Sequence, residues 1–141
     1  MIEFSKLFID TTPLIYYVEK NPEYYDILKK FFMESYNAEK EFVSSVVTVH
    51  EYSVHPYMNG EVNLLKDYSR FIEDTDMAIY DIDSKIADKA ARIRAEYKSF
   101  KGMDSLQLAT ASLAGCDLFI TNDKQLRQFT EINVITVAEL V

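Results

Sequence analysis

Residues 6–13 read Lys6-Leu7-Phe8-Ile9-Asp10-Thr11-Thr12-Pro13. Three apolar residues end at an acid, and two threonines and a proline follow. The apolar run predicts a short buried strand over 6–9. Thr12 suits a helix N-cap, since its hydroxyl accepts a backbone amide that the helix leaves unpaired. Pro13 suits the first helical position, where its missing N–H costs nothing. A strand that passes directly into a helix, with a carboxylate at the joint, is a building unit of a parallel sheet, and in such sheets ligand chemistry collects at the carboxyl ends of the strands.

The alternation continues outward from that unit. A helix is expected over 13–19. Asn21-Pro22 breaks it and opens a second over 22–36, where Tyr24, Leu28 and Phe31 recur at helical spacing. A strand over 41–45 leads into a helix over 46–55 that Pro56 helps to stop. Asn59-Gly60 marks a turn. A helix over 61–72 carries Leu64, Tyr68 and Phe71 on one face, and a strand over 77–82 follows. Ser84 is expected to cap a helix over 84–100, with Ile86, Ala90, Ile93 and Tyr97 along its apolar stripe. Asp104 opens a helix through Ala114 that Gly115 closes. Strands over 118–121 and 133–137 finish the pattern, with a small helix or loop over 123–129 between them. This order implies an α/β fold with a parallel sheet of about five strands, covered by helices on both faces. Residues 1–141 show no repeat, linker or low-complexity segment, so a single domain is expected.

Composition sets further bounds. The 141 residues are 48% hydrophobic and 27% charged, a globular balance. The net charge of −8 argues against a protein that holds nucleic acid by bulk positive charge. The single cysteine, Cys116, excludes an intrachain disulfide and a cysteine-built zinc cage. It lies between a helix-ending glycine and a strand, where a buried structural thiol is expected. The opening residues 1–6 are neither basic nor apolar, and no apolar run reaches membrane-span length, so a soluble cytoplasmic protein is expected.

Four carboxylates stand out by position. Asp10 ends the first strand, and Asp123 follows the 118–121 strand in Thr121-Asn122-Asp123. Asp104 starts the helix that feeds that strand, and Glu51 lies about one and a half turns into the helix after the second strand. Each has an ordinary alternative: a cap neighbour for Asp10, an N-cap for Asp104, a turn residue for Asp123, a solvated helix position for Glu51. Taken together the alternatives weaken, because Asp10 and Asp123 follow apolar strands, where an unpartnered charge is costly. Clustered carboxylates without His or Cys suit a hard divalent cation, Mg²⁺ or Mn²⁺. Such an ion offsets their mutual repulsion and suits phosphodiester hydrolysis. Thr121 and Asn122 can orient carboxylates or water, and Thr11 stands beside Asp10 as a further supporting residue.

Three stretches carry a resemblance. They are Phe8-Ile9-Asp10-Thr11-Thr12-Pro13-Leu14-Ile15-Tyr16, the strand-to-helix segment 44–51, and Met103-Asp104-Ser105-Leu106-Gln107-Leu108-Ala109-Thr110-Ala111 continuing through Phe119-Ile120-Thr121-Asn122-Asp123. Through them the chain resembles the PIN-domain family, and within it the VapC-like toxin ribonucleases, over nearly its whole length. The resemblance implies a three-layer α/β/α fold and a Mg²⁺- or Mn²⁺-dependent endoribonuclease. Its acidic quartet would be Asp10, Glu51, Asp104 and Asp123, with Thr121 as supporting hydroxyl. Asp10 and Asp104 would hold metal directly. Glu51 and Asp123 would do so through water or with a second ion. The resemblance further implies products with a 5′-phosphate and a 3′-hydroxyl, frequent homodimers, and an antitoxin partner that inserts a segment into the acidic groove. A housekeeping nuclease in RNA maturation or decay, and a binding protein of the same fold with little turnover, are the alternative readings.

Contact with RNA needs local positive charge. Six cations (Lys85, Lys89, Arg92, Arg94, Lys98 and Lys101) stand against Asp88 and Glu96 between positions 85 and 101, a local excess of +4. Lys101, near Asp104, is the first candidate for RNA contact; Lys124 and Arg127, just past Asp123, follow it. Tyr16, Tyr17, Tyr24, Tyr25, Phe31 and Phe32 crowd the first helical pair, and a partner or dimer surface is expected there. His50 and His55 are five apart, not the four of a zinc-protease helix. Asp10-Thr11-Thr12 lacks the second acid of aspartyl phosphatases, and no glycine-rich phosphate loop is present.

Overall fold

In the computed structural model, which describes residues 2–141, five strands and six α-helices alternate along the chain. Met1, the first residue of the N-terminal stretch read above, lies outside the described residues. The elements are β1 (Lys6–Ile9), α1 (Thr11–Val18), α2 (Tyr25–Asn37), β2 (Glu41–Ser45), α3 (Val46–Asn59), α4 (Val62–Asp74), β3 (Ala78–Tyr80), α5 (Ser84–Glu96), α6 (Gly102–Leu113), β4 (Leu118–Thr121) and β5 (Asn133–Thr136). Short 3-10 turns at Lys124–Gln128 and Val137–Leu140 flank β5. The first of these settles the open segment at 123–129, and the second extends the chain beyond the last expected strand.

All strand pairs are parallel, in the order β3-β2-β1-β4-β5. Side chains alternate across a strand, and here both faces are buried, which explains why the strands read as unbroken apolar runs. Phe8, Val43, Phe119 and Val134 point into a core shared with Ile86, Ala90 and Ile93 of α5 and Leu108, Ala109 and Ala111 of α6. Leu7, Ile9, Phe42, Leu118, Ile120 and Ile135 point to the other face, against Leu14, Leu28, Phe32, Tyr52, Tyr68 and Phe71. The layers are therefore α1–α4, sheet, and α5–α6.

Several element ends differ from the sequence expectation. Asp10, not Thr12, caps α1: its side chain accepts from the Thr11 amide, the helix begins at Thr11, and Pro13 is its third residue rather than its first. The Asn21 side chain accepts from the Glu23 and Tyr24 amides, so a turn occupies 22–24 and α2 starts at Tyr25. Pro56 does not stop α3. It lies inside the helix, buried, and the helix runs on to Asn59 before Gly60 takes the left-handed conformation at φ 67°. Burial of the ring offsets the one hydrogen bond proline cannot donate. Asp83 rather than Ser84 caps α5, by accepting from the Ile86 amide, and α5 ends at Glu96 rather than near Phe100. β3 is shorter than expected, and α6 starts two residues before Asp104.

Of the six aromatic residues of the first helical pair only Phe32 is buried, and the other five are half-buried and packed on one another. Tyr17 contacts Tyr25, Phe32 and Phe71, and Tyr16 stacks on Tyr24 at 5.2 Å. Among the described residues no helix is long and apolar enough to cross a membrane.

Candidate functional site

The strand order reverses between β1 and β4: connections from β1 lead to β2 and β3 on one side, while β4 and β5 lie on the other. A crevice opens at the carboxyl ends of strands where the winding switches direction. The residues that follow β1 and close β4 are Asp10 and Thr121, and these two meet. Thr121 is fully buried, and its hydroxyl donates to Asp10 Oδ2 at 2.8 Å across 111 positions of sequence. The Asp10 amide donates to the Ile120 carbonyl at 3.0 Å, which extends the β1–β4 ladder into the site.

Asp10 is held by two further donors. Its Oδ1 accepts from the Thr11 amide at 2.9 Å and from Gln107 Nε2 at 3.3 Å. Burial pushes its carboxyl from an ordinary 3.8 up to about 6, and the negative charge of Asp104 adds to the rise, against the pull of the three donated hydrogen bonds. Asp104 occupies the third position of α6, close enough to the Lys101 amide to accept from it at 3.4 Å. Burial raises its pKa, and the charges of Asp123 and Glu51 raise it further; the Lys101 amide and ammonium oppose them. Two of the four carboxylates are therefore destabilised as anions by burial and by one another.

Glu51, the sixth residue of α3, is exposed, and its Oε1 accepts from the Thr11 hydroxyl at 2.6 Å. Asp123 follows β4; its amide donates to Thr121 Oγ1 at 3.1 Å, and its carboxylate caps the following turn by accepting from the Gln125 amide at 2.9 Å. None of the four has a Lys, Arg or His within ion-pair distance among the described residues. All four sequence-chosen acids thus lie around one crevice, and Thr11 and Thr121 bond to two of them. Asn122 departs from its expected supporting place: its Nδ2 donates to the Tyr16 hydroxyl at 3.2 Å, toward α1.

A layer of buried polar groups beneath the acids was not assigned from sequence. Gln107, Ser45 and Thr48 are all essentially inaccessible. Ser45 Oγ donates to Gln107 Oε1, which fixes the orientation of the amide. Gln107 Nε2 then faces Thr48 Oγ1 at 2.6 Å and Asp10 Oδ1. Thr48 Oγ1 in turn stands 3.3 Å from Thr11 Oγ1, the donor to Glu51. A connected polar chain of this kind joins α6, β2, α3 and α1 under two of the acids. The available signal was Gln107 itself, a large amide in the otherwise small and apolar run Leu106–Ala109 of a core helix.

The cations divide. Lys101 is exposed and lines an open groove of about 960 Å³ together with Asp104 and Glu51. Lys124 is exposed beside Asp123. Arg127 is engaged elsewhere, paired with Glu139 at 3.1 Å, so it is not a free cation at this site. On α5, Lys89 is paired with Glu131 and Arg92 with Asp88, each at 3.1 Å. Of the six cations between positions 85 and 101, Lys85, Arg94, Lys98 and Lys101 make no ion pair among the described residues.

The donor set suits a hard cation: carboxylate oxygens only, two of them raised in pKa by burial and mutual charge, none neutralised by a basic side chain. Among the described residues no three acids, histidines or cysteines already stand in ligating arrangement.

Comparison with known proteins follows the same lines. A model of the PIN domain matches residues 7–132, from β1 to the approach of β5. Among solved structures, VapBC2 from Rickettsia felis bound to a promoter DNA fragment has a TM-score of 0.75 at 15% identity, covering 93% of this chain and 98% of the other. A toxin–antitoxin complex from Klebsiella pneumoniae has a TM-score of 0.69 at 26% identity, covering 94% and 98%. DNA-bound VapBC from Salmonella typhimurium has a TM-score of 0.73 at 20% identity, covering 94% and 98%. No curated protein matches the chain.

Proposed function

The chain belongs to the PIN domain family, and on that footing we propose that it is a metal-dependent endoribonuclease and the toxin of a type II toxin–antitoxin pair. PIN domains are nucleases as a class. The observation that carries the reading is the crevice at the winding switch, where Asp104 lies near enough to Asp10, Glu51 and Asp123 to feel their charge, none of the four makes an ion pair among the described residues, and three donors hold Asp10. An acid that serves only as a helix cap needs neither the Thr121 hydroxyl nor the Gln107 amide.

Asp10 and Asp104 would hold Mg²⁺ or Mn²⁺ directly, with Glu51 and Asp123 acting through water or on a second ion. When bound, the ion supplies activation of a water molecule and stabilisation of charge on the phosphoryl oxygens. Thr121 and Gln107 keep the Asp10 carboxylate from rotating, and Thr11 does the same for Glu51. Lys101 and Lys124, exposed next to Asp104 and Asp123, are placed for RNA phosphates. The antitoxin partner is supported by the likeness to the Klebsiella pneumoniae toxin–antitoxin complex and to the DNA-bound VapBC structures. A homodimer and a cytoplasmic setting belong to the same reading.

The test is cleavage of a mixed cellular RNA pool by purified wild type and Asp104→Asn, side by side with Mg²⁺, with Mn²⁺ and with EDTA. Metal-dependent cutting by wild type and at least a 100-fold slower reaction in the variant are expected. Equal cutting by both proteins sinks the assignment of the acids. No cutting by antitoxin-free wild type in either metal sinks the nuclease reading.

A further inference from the structure

The groove beside Asp104 has a second basic wall. Its lining includes Ala90, Ala91, Arg94 and Ala95 of α5, facing Lys101 and Asp104 at the start of α6. At about 960 Å³ it is near the upper end of small-ligand sites, with room for a segment of chain rather than one group. The three alanines leave the α5 side shallow, and Arg94 and Lys101 are the cationic side chains among the described residues that line the groove.

Arg94 differs from Arg92 and Arg127; Arg70, on α4, also makes no ion pair among the described residues but does not line this groove. Arg92 and Arg127 are spent on carboxylates at 3.1 Å, whereas Arg94 has no acid within ion-pair distance among the described residues. Its Nε donates instead to the Phe100 carbonyl at 3.0 Å. Phe100 is buried and stacked on Tyr97 at 4.8 Å, so that carbonyl is a firm anchor. Fixing Nε orients the planar guanidinium and leaves both terminal nitrogens free. A pre-oriented fork of that kind matches two oxygens of a phosphate.

We propose that Arg94, together with Lys101, holds a phosphate of single-stranded RNA adjacent to the reacting phosphodiester, so that the substrate strand runs along the groove between α5 and α6. The proposal rests on the ribonuclease reading and adds the direction of the bound strand to it. It also explains how a chain of net charge −8 can hold a polyanion: through a short unpaired basic wall rather than through bulk charge.

The test measures binding of a fluorescent single-stranded RNA by anisotropy between 50 and 300 mM KCl with Mn²⁺ present. An Asp10→Asn background keeps the RNA intact. Arg94→Met is expected to raise Kd about tenfold at low salt and to lower the slope of log K against log salt by about 0.7, one phosphate contact. Arg94→Lys should keep the slope but still weaken binding about threefold, because it keeps charge and loses the fork. Lys101→Met, at an exposed position, provides the same slope test should Arg94→Met fail to fold. In the wild-type background Arg94→Met should raise KM and leave kcat near its starting value. Unchanged Kd and slope in both Met variants overturn the proposal and leave the nuclease reading standing. RNA binding that is absent from the start also overturns it, and the cleavage assay on wild type then decides the nuclease reading separately. An acidic peptide that competes for Arg94 more strongly than RNA would overturn it in favour of a protein ligand.

Discussion

Asp10 serves two ends with opposite electrostatic demands. As the cap of α1 its side chain accepts from the Thr11 amide, and as one of the four acids its carboxyl is desolvated and near the charge of Asp104. Its pKa near 6, against 3.8 ordinarily, has a definite consequence for stability without metal. Between about pH 4 and 6 the folded chain keeps a proton on Asp10 that the unfolded chain has already released. Stability therefore falls as pH rises through that window, and above it a deficit on the order of 3 kcal/mol persists. Asp10→Asn removes the charge and keeps a good cap. In EDTA the variant is expected to be more stable than wild type at pH 7, by up to about 3 kcal/mol, with the gap closing toward pH 4; urea unfolding across that range measures it. A wild type equal to or more stable than the variant at pH 7 would mean that Asp10 is fully compensated and not a strained functional charge. At this scale the sequence is informative about the acids and silent about their support. Asp10 and Asp123 are legible because a charge directly after an apolar strand is conspicuous. The Ser45–Gln107–Thr48 chain is not, because its members lie 62 and 59 positions apart and only the folded sheet brings them together.

At the scale of elements, helix ends carry much of the design. α1, α2, α4 and α6 all finish in the same paired hydrogen bonds, with the amides of Lys20 and Asn21, Glu39 and Lys40, Asp76 and Met77, and Gly115 and Cys116 reaching back into the last turn. The motif requires a left-handed residue. Gly115 meets that need at φ 79°, but Lys20, Glu39 and Asp76 adopt it at φ 54°, 60° and 54° despite their side chains. A chain with only three glycines thus accepts strain at three of these four ends. Glu39→Gly, remote from the acids, is expected to stabilise the protein by about 0.5–1 kcal/mol, read as a higher midpoint in chemical unfolding with unchanged RNA cleavage. A lower midpoint would show that chain entropy outweighs the strain. The same feature explains why element order was legible and boundaries were less so. Apolar periodicity marks each body, and Gly115 marks an end in the expected way. A Glu-Lys pair that reverses the chain gives no such signal, and buried Pro56 gives a false one. Asp83 and Asn21 likewise cap by side-chain geometry that composition alone does not rank above the neighbouring serine or proline.

For the whole molecule, the site exists only once the sheet has closed. Asp10 follows β1, Glu51 lies in α3, Asp104 in α6 and Asp123 after β4, so no local segment holds more than one of the four acids. Their convergence comes from the strand order, which places β4 beside β1 although six helices and two strands lie between them in sequence. The topology could be anticipated from alternating strand and helix signals, and the convergence then followed from where chemistry sits in such sheets; the layer of support beneath it did not. A ligand that needs all four acids binds only the folded chain, so its binding energy adds directly to folding stability. Mn²⁺ at about 100 times its Kd is expected to add about 2.7 kcal/mol, seen as a rise of several degrees in Tm at pH 7. The gain should shrink at pH 5, where the proton on Asp10 competes with the ion, and should be mostly lost in Asp104→Asn at either pH. Arg94→Met should keep the full gain, because that side chain belongs to the RNA wall and not to the acids. A Tm that ignores Mn²⁺ in wild type would show that the four carboxylates do not act as one cation site. An equal gain in wild type and Asp104→Asn would place the ion elsewhere on an acidic surface.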